Sequence, residues 1–288
     1  MQIISDPKAM QQLCCSLRCS GETLGFVPTM GALHAGHMAL CERARRENSK
    51  FVASIFVNPA QFGPKEDLSK YPRPFERDCE MLREAGCDAL FAPTPQQIYG
   101  GADFLHGTWI DVTPFDEMWE GVTRPGHLRG VATIVAKLFN IAHPTRAYFG
   151  EKDFQQLRLV EALVRDLNFN LEIVPVETLR EPNGLAISSR NAYLSESEKN
   201  AASVIFRAMQ SAVELAKNGE RDVKKLGDAM EQIFAREPQI QTQYVAIVDS
   251  ETLAPLECLD SREARILVAA FLGKTRLIDN LPIFITEN

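Results

Sequence analysis

Two histidines three residues apart, His34 and His37, end the stretch Phe26-Val27-Pro28-Thr29-Met30-Gly31-Ala32-Leu33-His34-Ala35-Gly36-His37. Imidazoles at that spacing share one helix face and can reach the same ligand. A strand feeding a glycine turn and then a helix N-terminus is also how parallel α/β proteins hold phosphate. Backbone N–H groups and the positive end of the helix dipole both point at the anion. Gly36 would let a ligand come close to the backbone, which a Cβ would obstruct. The chemistry expected here is stabilisation of negative charge as it develops on a nucleotide phosphate. The plainer reading is a helix capped by its own histidines.

Other clusters carry matching chemistry. Glu151-Lys152-Asp153 follows Phe149-Gly150 at the carboxyl end of an expected strand, where ligands of open α/β sheets bind. Lys152 would set a point charge on phosphates. Asp153 would accept from a ribose or adenine group or orient Lys152, and Gln156 lies one turn further on. Gly184-Leu185-Ala186-Ile187-Ser188-Ser189-Arg190-Asn191 offers two hydroxyls and a guanidinium able to bind two phosphate oxygens at once. Asn58-Pro59-Ala60-Gln61 supplies amides for hydroxyl or carboxylate groups. Asp78 is a candidate for sharing Mg2+ with phosphates, because that ion needs only one or two protein carboxylates. Arg124 to Gly130 reads as a basic, glycine-bearing loop that could cover a polyanion. His106 and His143 lack motif context and read as structural.

These residues need elements to position them. Thr23–Val27, Phe51–Val57, Ala89–Phe91, Arg146–Phe149 and Leu171–Val176 read as short apolar strands. Met38–Glu47, Phe75–Ala85, Val131–Ile141 and Phe154–Leu167 read as helices between them. That alternation predicts an α/β fold, a parallel sheet with helices on both faces. The character changes after about Leu179. A capping box at Ser195 and Glu198 opens a helix marked by Ala201, Ile205, Ala208, Ala212 and Leu215. A helix at Val223–Phe234 and strands at Tyr244–Val248, Arg265–Phe271 and Lys274–Asn280 follow, the last antiparallel. Residues 1–180 therefore read as one domain and 181–288 as a smaller α+β domain.

Composition narrows the partners. A net charge of −7 argues against nucleic acid, whose binding calls for a basic footprint. With 45% hydrophobic and 24% charged residues the chain falls in the soluble globular class. Seven cysteines without a Cys-x-x-Cys pair suggest neither a disulfide framework nor a zinc site, but reduced thiols in the cytoplasm. Met1 to Leu13 lacks the marks of a signal peptide. The apolar run Val131 to Ala142 is broken by Lys137 and is too short for a bilayer.

Taken jointly, the motifs are specific. Pro28 to His37, Ser54-Ile55-Phe56-Val57-Asn58-Pro59 with Gln61-Phe62, Tyr71-Pro72-Arg73, Phe149 to Leu157, and Gly184 to Asn191 occur in family order, with Ile278-Asp279-Asn280 near the end. In these the chain resembles the pantoate–β-alanine ligases (pantothenate synthetases) of the HxGH nucleotidyltransferase superfamily. The resemblance implies ATP-dependent condensation of pantoate with β-alanine through a pantoyl-adenylate. It also implies Mg2+, a homodimer, a Rossmann-like N-terminal domain and a C-terminal domain that closes over the site. Carried over by position, Met30, Gly31, His34, Gly36 and His37 would line the ATP site, His37 in the catalytic role. Gly150, Glu151, Lys152, Asp153, Leu179, Ile187, Ser188, Ser189 and Arg190 would complete it, while Gln61 and Gln156 would hold pantoate and Gln61 would also lie near β-alanine. The chain departs from the pattern at Ala35, where Glu is usual, at Asn183, where Asp is common, and at Ile187, where Met is common. Competing readings are a nucleotidylyltransferase acting on a phosphorylated alcohol, a fragment of a class I aminoacyl-tRNA synthetase, and a sensor that binds ATP without turning it over.

Overall fold

The structure, a computed structural model, describes residues 1–64, 66–101, 107–260 and 263–284. His106 lies outside them. The chain divides into two compact units. Met1–Glu151 and Gln155–Glu177 form the first, while Lys152–Phe154 group with the residues from Thr178 onward.

In the first unit, six strands among the described residues form one parallel sheet. They are β1 (Gln2–Ile4), β2 (Leu24–Thr29), β3 (Lys50–Ile55), β4 (Ala89–Phe91), β5 (Arg146–Gly150) and β6 (Glu172–Val176), in the order β1-β4-β3-β2-β5-β6. The helices between them are α1 (Pro7–Cys19), α2 (Ala35–Glu47), α3 (Phe75–Glu84), α4 (Pro95–Tyr99), α5 (Glu120–Thr123), α6 (His127–Ala142) and α7 (Phe154–Asp166). Strands covered on both faces need apolar side chains in both directions, which Phe51-Val52-Ala53 and Ala89-Leu90-Phe91 provide, all buried. One face takes Leu40, Cys41 and Ala44 of α2 with Cys79 and Leu82 of α3, packed around Val27, Phe51, Leu90 and Tyr148. On the other, Phe139 of α6 meets Phe149 edge-on at 6.3 Å, since neighbouring residues of a strand point to opposite faces.

Some details of this unit differ from expectation. Strand β2 continues to Thr29, through Pro28. Its ladder with β5 involves Gly25 and Phe26, so Pro28, which has no N–H, lies beyond it and faces Ser54 of β3. The three-residue edge strand β1 was not expected, nor was helix α1, although Asp6 caps it, Pro7 opens it and Met10 and Cys14 lie buried at helical spacing. Helix α6 begins at His127, not Val131, so residues 127–130 are helix where a loop was expected. Gly126, at φ 81°, makes the entry turn, and Gly130 sits inside the helix.

In the second unit, β7 (Ile240–Asp249), β8 (Ala264–Leu272) and β9 (Thr275–Ile283) form an antiparallel sheet. Helices α8 (Glu196–Ala202), α9 (Val204–Lys217) and α10 (Val223–Phe234) supply its covering layer. Ile205, Ala208, Met209 and Ala212 pack in one core with Leu226, Met230, Ile266 and Val268. The Ser195–Glu198 capping box is present, and the helix it opens breaks at Ser203 into α8 and α9.

Cys14, Cys41, Cys79 and Cys87 are buried; Cys15, Cys19 and Cys258 are exposed. Burial pushes the thiols of Cys14, Cys41 and Cys87 up to about 12, so they remain un-ionised. Among the described residues no helix is long and apolar enough to cross a membrane.

Candidate active site

The loop leaving β2 is built to hold an awkward backbone. Gly31 and Ala32 both lie in the left-handed region, at φ 81° and 52°. A Cβ on Gly31 would sit 3.0 Å from Asp78 Oδ2 and 3.1 Å from Ile55 Cγ2, so only glycine fits there. For Ala32 the left-handed conformation costs about 1–2 kcal/mol. Asp78, on α3 and 1% exposed, offsets it: Oδ2 accepts the Ala32 N–H at 2.8 Å and Oδ1 accepts the Leu33 N–H at 2.9 Å. Hydrogen bonds to a charged acceptor contribute roughly 1.5–3 kcal/mol each, so the loop is held in spite of its strain. Burial raises the Asp78 carboxyl above the ordinary range, and the two amides pull it back. Asp78, considered from sequence as a magnesium ligand, has each of its oxygens fastened to the loop by one amide.

The two histidines cap α2 reciprocally. His34 is the N-cap, and its Nδ1 accepts the Gly36 N–H at 3.2 Å, while His37 Nδ1 accepts the His34 N–H at 3.4 Å. A neutral imidazole that accepts at Nδ1 carries its proton on Nε2. Both rings are therefore donors through Nε2, with centroids 4.0 Å apart. Gly36 also leaves room for the His34 ring. A Cβ there would meet His34 Cε1 at 3.0 Å. The loop amides are also less open to an anion than expected. Gly31 N–H binds Thr29 Oγ1 at 3.1 Å, and those of Ala32, Leu33, His34 and Gly36 are held as above. What this turn offers an anion is the two imidazole Nε2 donors and the positive end of the helix dipole. Ala35 points to solvent, so the usual Glu is replaced where no packing depends on it.

Gln61 is 8% exposed and closes the short turn Pro59–Gln61. Asn58 orients it: its Nδ2 donates to Gln61 Oε1 at 3.0 Å and to Gly130 O at 3.1 Å, and its Oδ1 accepts from Tyr99 Oη at 2.6 Å. Gln61 Nε2 donates to Met30 Sδ at 3.2 Å, a weak acceptor that a ligand oxygen would outcompete. Gly130 is indispensable here, because a Cβ would lie 2.3 Å from Ala60 O. His127 secures the backbone, its Nδ1 lying 2.8 Å from Gln61 O and its Nε2 2.9 Å from Arg124 Nη1. A guanidinium can only donate, which puts the His127 proton on Nδ1, pointing at the Gln61 carbonyl. Burial, then the Arg124 charge, push His127 down to about 4. Arg124 itself pairs with Glu66 at 2.6 and 2.8 Å. The supposed polyanion-covering loop is thus a brace for Gln61. Sequence reading missed Tyr99, and it gave His127 no role of its own.

Gln156 lies half-buried on the first turn of α7. Its neighbour Gln155 is buried and ties down the 115–120 segment, accepting from Glu120 N–H at 2.9 Å and donating to Phe115 O and Met118 O at 3.0 Å each.

In the second unit, Leu179 and Ile187 come together across a tight turn. Ile187 N–H donates to Leu179 O at 2.9 Å and Glu181 N–H to Leu185 O at 2.8 Å. Gly184 makes the turn at φ 93°, where a Cβ would strike Phe206 at 2.2 Å. Arg180 braces it, donating to Gly184 O at 3.0 Å and gripping Asp279 at 2.6 and 2.9 Å, its guanidinium 4.2 Å from the Phe206 ring centroid. Asn183 Oδ1 accepts the Leu185 N–H at 3.1 Å, as an Asp would, so that departure keeps the turn. Ser188 Oγ accepts the Arg190 N–H at 3.3 Å, opening the turn Ser189–Tyr193. Lys152 is half-buried and Asp153 exposed.

The family described as pantoate-beta-alanine ligase matches residues 2–282. A relative from Rubrobacter xylanophilus named pantothenate synthetase is 50% identical over 285 residues, covering 98% of each chain. One of the same name from Thermotoga neapolitana is 47% identical over 280 residues, with 97% of this chain and 99% of the relative covered. The crystal structure of pantothenate synthetase from Thermus thermophilus superposes with a TM-score of 0.92 at 47% identity, covering 99% of this chain and 100% of the other. That of the pantoate-beta-alanine ligase from Francisella tularensis, complexed with beta-gamma ATP and beta-alanine, gives 0.79 at 33% identity, over 98% and 97% of the two chains. With its sheet, its paired imidazoles and its full-length matches, the chain belongs to the pantoate–β-alanine ligase family.

Proposed function

We propose that the residues described above divide the work of an ATP-dependent ligase that joins pantoate to β-alanine. In the first half-reaction a pantoate carboxylate oxygen attacks the α-phosphorus of ATP. The bond to the bridging oxygen breaks and pyrophosphate leaves. In the second, the β-alanine amine attacks the carbonyl carbon of the pantoyl-adenylate, losing a proton as AMP departs.

Gln61, and with it Gln156, holds pantoate through neutral amides, which fixes the geometry of attack without adding charge. His34 and His37 donate from Nε2 to the phosphate oxygens on which charge develops. Lys152 and Arg190 act on the same triphosphate, with Met30, Gly31, Gly36, Gly150, Glu151, Asp153, Leu179, Ile187, Ser188 and Ser189 lining the nucleotide. Among the described residues no three His, Cys, Asp or Glu side chains gather as metal ligands, and Asp78 is engaged with the loop. Mg2+ is read here as entering on the phosphates as part of the substrate, a mode suited to an ion that keeps most of its own water. The working form is a homodimer.

The observation that carries this assignment of roles is the reciprocal cap, which turns both imidazoles into donors at the carboxyl end of β2. The test is mass spectrometry of protein incubated with ATP, magnesium and pantoate, without β-alanine. The expected result is pyrophosphate release and a bound adenylate, converted to pantothenate when β-alanine is added. Equal turnover with cytidine triphosphate would favour a nucleotidylyltransferase, and ATP binding without any product would favour a sensor.

A further inference from the structure

Lys152 follows β5 in sequence but is held by the C-terminal sheet. Asn280 of β9, 3% exposed, donates from Nδ2 to the Lys152 carbonyl at 2.9 Å across 128 residues of sequence. The amide is itself aimed. Arg265, diagonal to Asn280 across the β8–β9 pair, donates from Nε to Asn280 Oδ1 at 2.8 Å. The Arg265 guanidinium also lies 3.7 Å from the centroid of the Phe154 ring, two residues past Lys152. An amide whose oxygen accepts from an arginine must present its nitrogen to the other partner. The orientation of Asn280 is therefore fixed by Arg265.

The preceding residue, Asp279, points to the opposite face of β9 and grips Arg180, which braces the turn leading to Ser188 and Arg190. Two adjacent residues of one strand thus fasten two separate segments, each carrying a cation. Arg265 and Asp279 are both buried, and removing charges from water is costly unless their partners are well placed. Packing alone would be met by apolar side chains here.

We propose that Asn280 is a positioning residue for Lys152 and that Arg265 sets the orientation of Asn280. A lysine side chain is long and flexible, so the placement of its ammonium group on a phosphate begins with a fixed main chain. This inference rests on the assignment of Lys152 to the nucleotide phosphates.

Four variants test it: Asn280→Asp, which keeps the acceptor for Arg265 and removes the donor to Lys152; Arg265→Lys; Lys152→Ala; and the double variant Asn280→Asp/Lys152→Ala. The readouts are steady-state kinetics with ATP and pantoate varied separately, with thermal unfolding of each protein as the check on folding. Asn280→Asp should lower kcat/KM for ATP about tenfold and leave KM for pantoate within twofold, with Arg265→Lys shifting both in the same direction by less. In the Lys152→Ala background the substitution should change activity by less than twofold, because the group it positions is gone. A full tenfold loss in that background, or an equal rise in KM for pantoate, would overturn the proposal while leaving Lys152 in its role. Wild-type kinetics in Lys152→Ala would remove the assignment of Lys152 and the proposal with it. Should Asn280→Asp fail to fold, Arg265→Lys alone and in the Lys152→Ala background decides by the same criterion.

Discussion

The histidine turn and the Gln61 turn are organised on different scales. His34 and His37 cap each other within three residues, and Gly36 completes the cap from two residues away. Gln61 has two partners remote in sequence, Met30, 31 residues away, and His127, 66 away, and its near neighbour Asn58 is itself tied to Gly130, 72 residues on. The histidine cap is local, although the loop leading into it is held by Asp78 of α3, whereas the Gln61 turn is assembled only when α6 docks beside it. Damage to the local turn should therefore appear in chemistry with the fold intact. Damage to the assembled one should appear in pantoate binding and in stability together.

The largest expected effect is on the local side. His37→Ala removes one donor to the phosphates, and loss of such a donor commonly costs about 10²–10³ in turnover. The thermal unfolding midpoint should stay close to that of the unaltered protein. Near-normal turnover would take His37 out of the mechanism and dissolve the contrast.

On the assembled side, His127 should make stability pH-dependent. The folded protein keeps this ring neutral down to about 4, whereas in the unfolded chain it protonates near its ordinary value of about 6.5. The unfolded state thus takes up the proton first. The contribution of His127 is complete above about pH 6.5 and is lost as pH falls towards 4, by about 3 kcal/mol in all. Urea unfolding at intervals across that window should give a shallower pH dependence for His127→Gln than for the unaltered chain. Parallel curves for the two proteins would mean that another group is responsible.

A smaller effect is expected from Gly130→Ala. The new methyl would collide with the Ala60 carbonyl, and overpacking of this kind costs roughly 1–3 kcal/mol. Because the strain falls on the turn bearing Gln61, KM for pantoate should rise about tenfold with KM for ATP little changed. Equal rises in both constants would show that the turn is not dedicated to pantoate.

Legibility from sequence follows the same division. Continuous apolar runs bounded by turns, such as Phe51-Val52-Ala53 and Ala89-Leu90-Phe91, announce buried parallel strands whatever surrounds them, and β4 has the expected limits. Capping signals are equally local, and Ser195 with Glu198 begins a helix as its spacing requires. Gly130 misled for the opposite reason. Glycine is a poor helix former in isolation, and only the carbonyl of Ala60 explains its place inside α6. Asp78 shows a third case. An acidic residue on a helix announces a charge, but its true partners are two amides about 45 residues earlier, which no pattern around it reveals. The family resemblance proposes residues for the site without naming the hydrogen bonds that set them.

The distribution of thiols has a practical use. With Cys14, Cys41 and Cys87 held un-ionised inside the first unit, a maleimide dye at neutral pH will find Cys15 and Cys19 on α1 and Cys258 in the other unit. Changing Cys15 and Cys19 to serine would leave a single attachment point in the C-terminal unit. A reporter placed there would follow that unit through the catalytic cycle without any engineered cysteine.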